Sequence, residues 1–233
     1  MREIVFDTET TGLDKNDDRV IEIGAIEMVN KFITGKTFHV YINPQGKQVH
    51  PDALAVHGIS NESLLDKPNF SEISEEFLTF IEGAKLVAHN AMFDIGFLNA
   101  ELARINQVPI STDVVIDTLA LARRKHPMGP NTLDALCKRY GVNNAHRKLH
   151  GALLDTELLA EVYIELLGGK QTSLGLSVQS NADNKSGDNQ TVQVTLKSRP
   201  NPLPSRLTEA DIEAHQKLVD KMGDKAIWKQ YLN

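Results

Sequence analysis

The sequence predicts an α/β protein built on a mixed sheet with flanking helices, followed by a flexible linker and a short helical C-terminal tail. Three observations predict it. Residues 1–43 contain three runs rich in β-branched and aromatic residues, as expected of successive strands. Between residues 71 and 167 apolar residues recur at helical spacing, interrupted by a short apolar run, K-L-V-A, at 85–88. From 169 to 204 the composition shifts to Gln, Asn, Ser, Gly, Thr and Pro, which cannot bury a core and reads as linker. The expected division is therefore a domain at 1–169, a linker at 170–203 and a tail at 204–233.

The first strand runs through 4–12, I-V-F-D-T-E-T-T-G. Side chains alternate across a strand, so Val5, Asp7 and Glu9 share one face while Ile4, Phe6 and Thr8 share the other. Two further strands, 20–30 and 32–43, joined tightly at Asn30-Lys31, complete an antiparallel meander. A short helix or turn in 50–65 stops at Gly58, and a helix over 71–82 stops at Gly83. The strand at 85–88 leads through His89-Asn90 into a helix over about 91–106. In that helix Phe97, Leu98, Leu102 and Ile105 follow Asp94 at helical spacing, so Asp94 lies on the inward stripe. Residues 114–123 hold a strand or helix start near Asp117, and 131–140 is a helix capped by Asn131 and stopped by Gly141. The helix over 152–167 places Leu158, Leu159, Val162 and Leu166 on the same stripe as Asp155, with His150 just outside it beside Gly151. In the tail, Thr208 and Asp211 open a short helix closed by Gly223, and 226–232 adds Ile227, Trp228, Tyr231 and Leu232. So small a segment cannot bury this apolar set alone, which implies docking on a partner.

Composition narrows the function. Residues 1–169 carry 16 Lys and Arg against 24 Asp and Glu, which argues against a broad basic surface for nucleic acid but not against gripping a strand end through metal ions. No apolar run reaches a membrane span of roughly 20 residues. With a strand starting at residue 2 there is no room for a signal peptide, so a cytoplasmic protein with no membrane contact is expected. The single cysteine, Cys137, is expected to pack in the core.

The chemistry lies in the inward carboxylates. Asp7 and Glu9 repel each other and lose hydration on a partly buried strand face unless a cation sits between them. Asp94 and Asp155 are inward on two helices; with both helices packed over that face, all four converge. An all-oxygen site suits Mg²⁺ or Mn²⁺, and two such ions about 4 Å apart hold the attacking water and leaving oxygen of a phosphodiester. His150, with a reference pKa of about 6.5, suits the role of general base.

In D-T-E-T-T-G at 7–12, H-N-A-x-F-D at 89–94 and H-x-x-x-x-D at 150–155, the chain resembles the DEDDh family of 3′→5′ exonucleases, with an RNase-H-like fold. Within that family it is most similar to the epsilon, proofreading, subunits of bacterial DNA polymerase III. The resemblance implies a metal-dependent DNA exonuclease that removes mismatched 3′-terminal nucleotides. Asp7, Glu9, Asp94 and Asp155 would be the metal ligands and His150 the base. Asp7, Glu9, Asp52, His57 and Asp155 would bind substrate, although the family more often has Glu where Asp52 stands. His89 and Asn90 would order the loop presenting Asp94. Gln171 to Leu176, Q-T-S-L-G-L, resembles peptides that insert into the bacterial sliding clamp, which would engage Gln171, Leu174 and Leu176. The tail, with Trp228, would hold the polymerase III catalytic subunit. An RNA-directed relative is the nearest alternative, though such relatives lack the clamp-like peptide and tail. A non-catalytic adaptor would have lost catalytic positions that are all filled here.

Overall fold

The computed structural model describes residues 1–145, 147, 149–169 and 208–222. Among these, residues up to 169 belong to one compact unit and 208–222 to another. The linker and tail boundaries, with Gln171, Leu174, Leu176 and Trp228, lie outside the described residues.

The first unit is built on five strands: β1 (Arg2–Thr10), β2 (Val20–Val29), β3 (Phe32–Tyr41), β4 (Lys85–Ala88) and β5 (Val115–Asp117), in the order β3-β2-β1-β4-β5. The first three form the expected antiparallel meander. Asn30 and Lys31 both take positive φ, 52° and 69°, the geometry of a tight two-residue hairpin turn that follows strand twist. β4 pairs in parallel with β1, and β5 with β4, so the sheet is mixed as expected.

Helices α1 (Pro51–His57), α2 (Phe70–Ile81), α3 (Ala91–Arg104), α4 (Thr118–Lys125), α5 (Leu133–Tyr140) and α6 (Ala152–Leu166) flank it. Strand alternation sorts them into two layers. Ile4, Phe6, Leu86 and Ala88 pack with Phe77 of α2 and Ile95 and Leu98 of α3. Val5 and Val87 pack with Leu159, Ala160 and Tyr163 of α6. The expectation that the helices of Asp94 and Asp155 cover one face is therefore corrected: α3 and α6 lie on opposite faces, because β1 and β4 carry buried apolar side chains on both, Ile4, Phe6 and Leu86 on one and Val5 and Val87 on the other, and each set demands its own cover.

α6 approaches β2 at backbone contact. A Cβ on Gly24 would lie 2.3 Å from the carbonyl carbon of Ala152 and the nitrogen of Leu153, and the Thr156 hydroxyl donates to the Gly24 carbonyl at 3.0 Å. Local ends also differ from expectation. α2 starts at Phe70 with an Asn69–Glu72 capping box. α5 is capped by Thr132, not Asn131; the Asn131 amide instead donates to the carbonyls of His126 and Gly129, shaping the preceding loop. Asp117 ends β5 and caps α4 by accepting from Leu119 N–H at 2.9 Å, which divides 114–123 into strand and helix. Cys137 is fully buried beside Leu136, Leu158 and Val162, as its packing role required.

In the second unit, α7 (Glu209–Lys221) opens on the expected Thr208–Asp211 capping box. No helix among the described residues is long and apolar enough to cross a membrane.

Candidate active site

The four predicted carboxylates reach one place from different layers of the fold. Asp7 and Glu9 lie near the carboxyl end of β1, just before a register shift between Glu9 and Thr10. Asp94 sits in the first turn of α3 and Asp155 in the first turn of α6. Open α/β sheets place ligands at the carboxyl ends of their parallel strands. Here the site forms where β1, β4 and β5 end.

The loop between β4 and α3 explains how Asp94 arrives from the opposite face. Asn90 adopts a left-handed conformation, φ 65°, which Asn tolerates better than most residues. Its N–H is held by the Asp117 carboxylate at 3.1 Å, and His89 Nδ1 meets the Thr118 hydroxyl at 2.9 Å. These are the loop-ordering roles expected of His89 and Asn90. Asp94 then accepts from both the backbone N–H (3.1 Å) and hydroxyl (2.7 Å) of Thr8. Thr8 points toward the α3 side of the sheet, so this grip brings Asp94 around the strand end to Asp7 and Glu9.

The charges are poorly compensated on one side. Glu9, Asp94 and Asp155 are 9%, 3% and 4% exposed. Burial, and then repulsion from Glu22, Asp155 and Asp94, raises the pKa of Glu9 to about 8. Burial raises Asp94 to about 7 against the opposing Thr8 hydrogen bonds, and burial with the charges of Asp94, Glu9 and Asp155 raises Asp7. Asp155 goes the other way. Burial pushes it up but is outweighed by hydrogen bonds and charge from Arg147 and His150.

Arg147, which sequence reasoning missed, lies at the centre of that exception. Its Nε and Nη2 donate to the two Asp155 oxygens at 2.5 and 2.7 Å, Nη1 pairs with Asp134 at 2.9 Å, and Nη2 reaches His150 Nδ1 at 2.9 Å. His150 is about half exposed, 3.2 Å from Asp155. Glu9, His150 and Asp155 each offer an atom within 4.8 Å of the others. Glu22, also unforeseen, lies opposite Glu9 on β2, accepting from the α6 N-terminus at Ala152 N–H (3.1 Å) and meeting His39 Nε2 at 2.7 Å. It helps seat the helix that carries Asp155.

These side chains line a cavity of about 660 Å³ that includes Asp7, Glu9, Asp94, Arg147, His150 and Asp155. A second cavity of about 430 Å³ adjoins it, sharing Thr8, Glu9 and Phe93. Its walls include His50, Asp52, Val56 and His57, and also Leu13 and Phe93, which the sequence did not single out. Asp52 is exposed at the first turn of α1. His57 is buried; its Nδ1 accepts from Ile59 N–H at 3.0 Å while Nε2 has no protein partner, and burial lowers its pKa. An unpaired buried imidazole nitrogen in a cavity wall is a ready contact for a polar ligand.

A hard divalent cation fits this donor set. The carboxylates supply oxygen only, and three of them are held above their ordinary pKa by burial, reinforced at Asp7 and Glu9 by neighbouring negative charge, which such a cation offsets.

The fold and acidic cleft define a hydrolytic nuclease, and the family described as exonuclease, RNase T, matches residues 4–163. The chain is 43% identical to the DNA polymerase III subunit epsilon of Escherichia coli K12, covering 98% of this chain and 97% of that one. With the subunit of the same name from Rickettsia felis it shares 46% identity over 95% of this chain and 97% of the other. Among solved structures, exonuclease X in complex with 5′ overhanging duplex DNA superposes with a TM-score of 0.56 at 28% identity, covering 71% of this chain and 91% of that one. This chain therefore belongs to the exonuclease family and, within it, to the DNA polymerase III epsilon subunits.

Proposed function

We propose that the protein hydrolyses DNA from the 3′ end, releasing mononucleotides, as the editing subunit of a replicative polymerase. The observation that carries this reading is the convergence of four carboxylates on one cavity, adjoined at Glu9 by a second cavity sized for one nucleotide. The relatives' names supply the polymerase context.

Asp7, Glu9, Asp94 and Asp155 would hold two divalent ions, assigned as Mg²⁺ or Mn²⁺ from the oxygen-only donors. Bound there, the ions supply charge neutralisation of the phosphate and an acidified water. The chain's own residues do the rest. His57, with its unpaired Nε2, and Asp52 hold the terminal nucleotide, while Leu13 and Phe93 offer apolar surface to its base. His150 takes the proton as water oxygen bonds to phosphorus and the bond to the upstream 3′-oxygen breaks, leaving a 3′-hydroxyl strand and a nucleoside 5′-monophosphate. Thr8 keeps Asp94 in place through its two hydrogen bonds.

Two partner assignments rest on sequence. Gln171, Leu174 and Leu176 would enter the sliding clamp, and 204–233, with Trp228, would hold the catalytic subunit of the polymerase. The likeness to the Escherichia coli subunit extends over nearly the whole chain, which supports a shared tail.

A gel time course with 5′-labelled DNA bearing a 3′ mismatch tests the activity, run beside RNA of the same sequence, with Mg²⁺ and with chelator. Metal-dependent shortening of DNA from its 3′ end, faster than RNA, is expected. Preference for RNA would move the function to RNA trimming, and cleavage that persists in chelator would remove metal from the mechanism.

A further inference from the structure

The two adjoining cavities differ in a way that sets the direction of the strand. The 430 Å³ cavity is the more enclosed, walled by α1 and by Thr10, Gly12, Leu13 and Asp18. The 660 Å³ cavity is more open and extends past the carboxylates to Leu119 and Arg123 of α4 and to Gly129, Asn131 and Thr132 of the following loop. An enzyme acting on a chain end places one nucleotide beyond the scissile phosphate and the rest of the strand before it. The enclosed cavity takes the single nucleotide, so the strand leaves through the open one, toward α4.

That exit has two Arg or Lys side chains in its walls, Arg147 and Arg123. Arg147 is committed to Asp155, Asp134 and His150. Arg123 is exposed and makes no side-chain hydrogen bond or ion pair among the described residues. Cations in the last turn of a helix are favoured by its dipole, and Arg123, Arg124 and Lys125 all fall there. Yet Lys125 turns away to the carbonyls of Glu165 and Leu166, whereas Arg123 is the one of the three that lines the cavity. In a domain with 16 basic against 24 acidic residues, an uncommitted guanidinium facing the cleft is the natural partner for a strand phosphate.

We propose that Arg123 binds the first phosphate upstream of the scissile one, a substrate-positioning role that rests on the exonuclease reading above. The test uses the full chain and two single-stranded DNA oligonucleotides, one native and one with an uncharged methylphosphonate at that single linkage. Wild type is expected to show KM roughly tenfold higher on the methylphosphonate strand. Arg123→Gln is expected to raise KM about tenfold on the native strand, with kcat little changed and no further rise on the methylphosphonate strand. Arg123→Lys should recover most of the loss, since a point charge still meets a phosphate. The slope of log KM against log salt should also shallow by about one counterion in Arg123→Gln. Equal losses by Arg123→Gln on both strands, or none on the native strand, would overturn the assignment. If wild type shortens neither oligonucleotide, the exonuclease reading falls and takes the Arg123 role with it.

Discussion

Asp155 and the group of Asp7, Glu9 and Asp94 share one cleft and one kind of side chain, yet their environments push them in opposite directions. Asp155 has a buried guanidinium on both oxygens and stays an ordinary or stronger acid. Asp7, Glu9 and Asp94 have hydroxyl, amide or one another for neighbours, and all are harder to ionise. The protein thus supplies its own cation to one carboxylate of four. The other three form a region of negative charge that the protein itself leaves largely unmatched.

The largest effects test whether both halves serve one reaction. Asp7→Ala and Asp155→Ala are each expected to cost roughly a thousandfold or more in turnover on mismatched DNA, with circular dichroism unchanged; substantial activity in either would divide the cleft into separate sites. Gly24→Ala attacks the mounting of Asp155. A methyl group at 2.3 Å from α6 backbone should destabilise by about 3 kcal/mol or more, read by chemical denaturation, and lower turnover with it.

The stability contrast itself is the sharper test. In chelator, Asp155→Asn should destabilise by about 2 kcal/mol, because it leaves Arg147 without its buried partner, whereas Glu9→Gln should stabilise by about 1 kcal/mol by removing a desolvated, repelled charge. The same sign for both would end the distinction between the halves. It also has a pH form. Glu9 moves from 4.5 to about 8 and Asp94 from 3.8 to about 7 on folding, so between those limits the folded state binds more protons than the unfolded. Stability contributed by these groups is present at low pH and falls as pH rises from about 4 to 8. Asp155, with its depressed value, contributes stability above pH 3.8 that is lost as pH falls through its folded pKa. Melting temperatures in chelator should therefore decline across pH 4 to 8 more steeply in wild type than in Glu9→Gln, and saturating Mn²⁺ should flatten the decline. Smallest of all, deletion of 204–233 is expected to leave nuclease turnover within about twofold while abolishing capture of the polymerase subunit in a pull-down; retained capture would move that contact elsewhere.

The converging carboxylates were legible in sequence because an acid on an apolar stripe contradicts its surroundings, and the contradiction recurs at Asp94 and Asp155. Strand alternation likewise put Asp7 and Glu9 together. Periodicity tells which residues face inward but not which side of the sheet a helix takes, so the two-faced arrangement of α3 and α6 was hidden, as was the Thr8 grip that makes it work. Arg147 and Arg123 were not legible for a different reason. An arginine in a polar loop or at a helix end looks like any solvated charge until the fold brings an acidic cleft beside it; the one available sign was Arg147 standing three residues before His150. Cap positions missed by one residue at Asn131 because Asn131 and Thr132 are both competent caps, and only the loop's hydrogen bonds decide between them.

The order of the elements along the chain gives the cleft a schedule. Asp7 and Glu9 belong to a meander whose pairings are local, and such contacts form early. Asp94 follows after the first parallel crossover. Asp155 arrives with the last helix of the unit, which must find Gly24 in a strand made long before. A chain still on the ribosome therefore carries two of the cleft's carboxylates, then three, and completes the set only when the last helix of this unit docks.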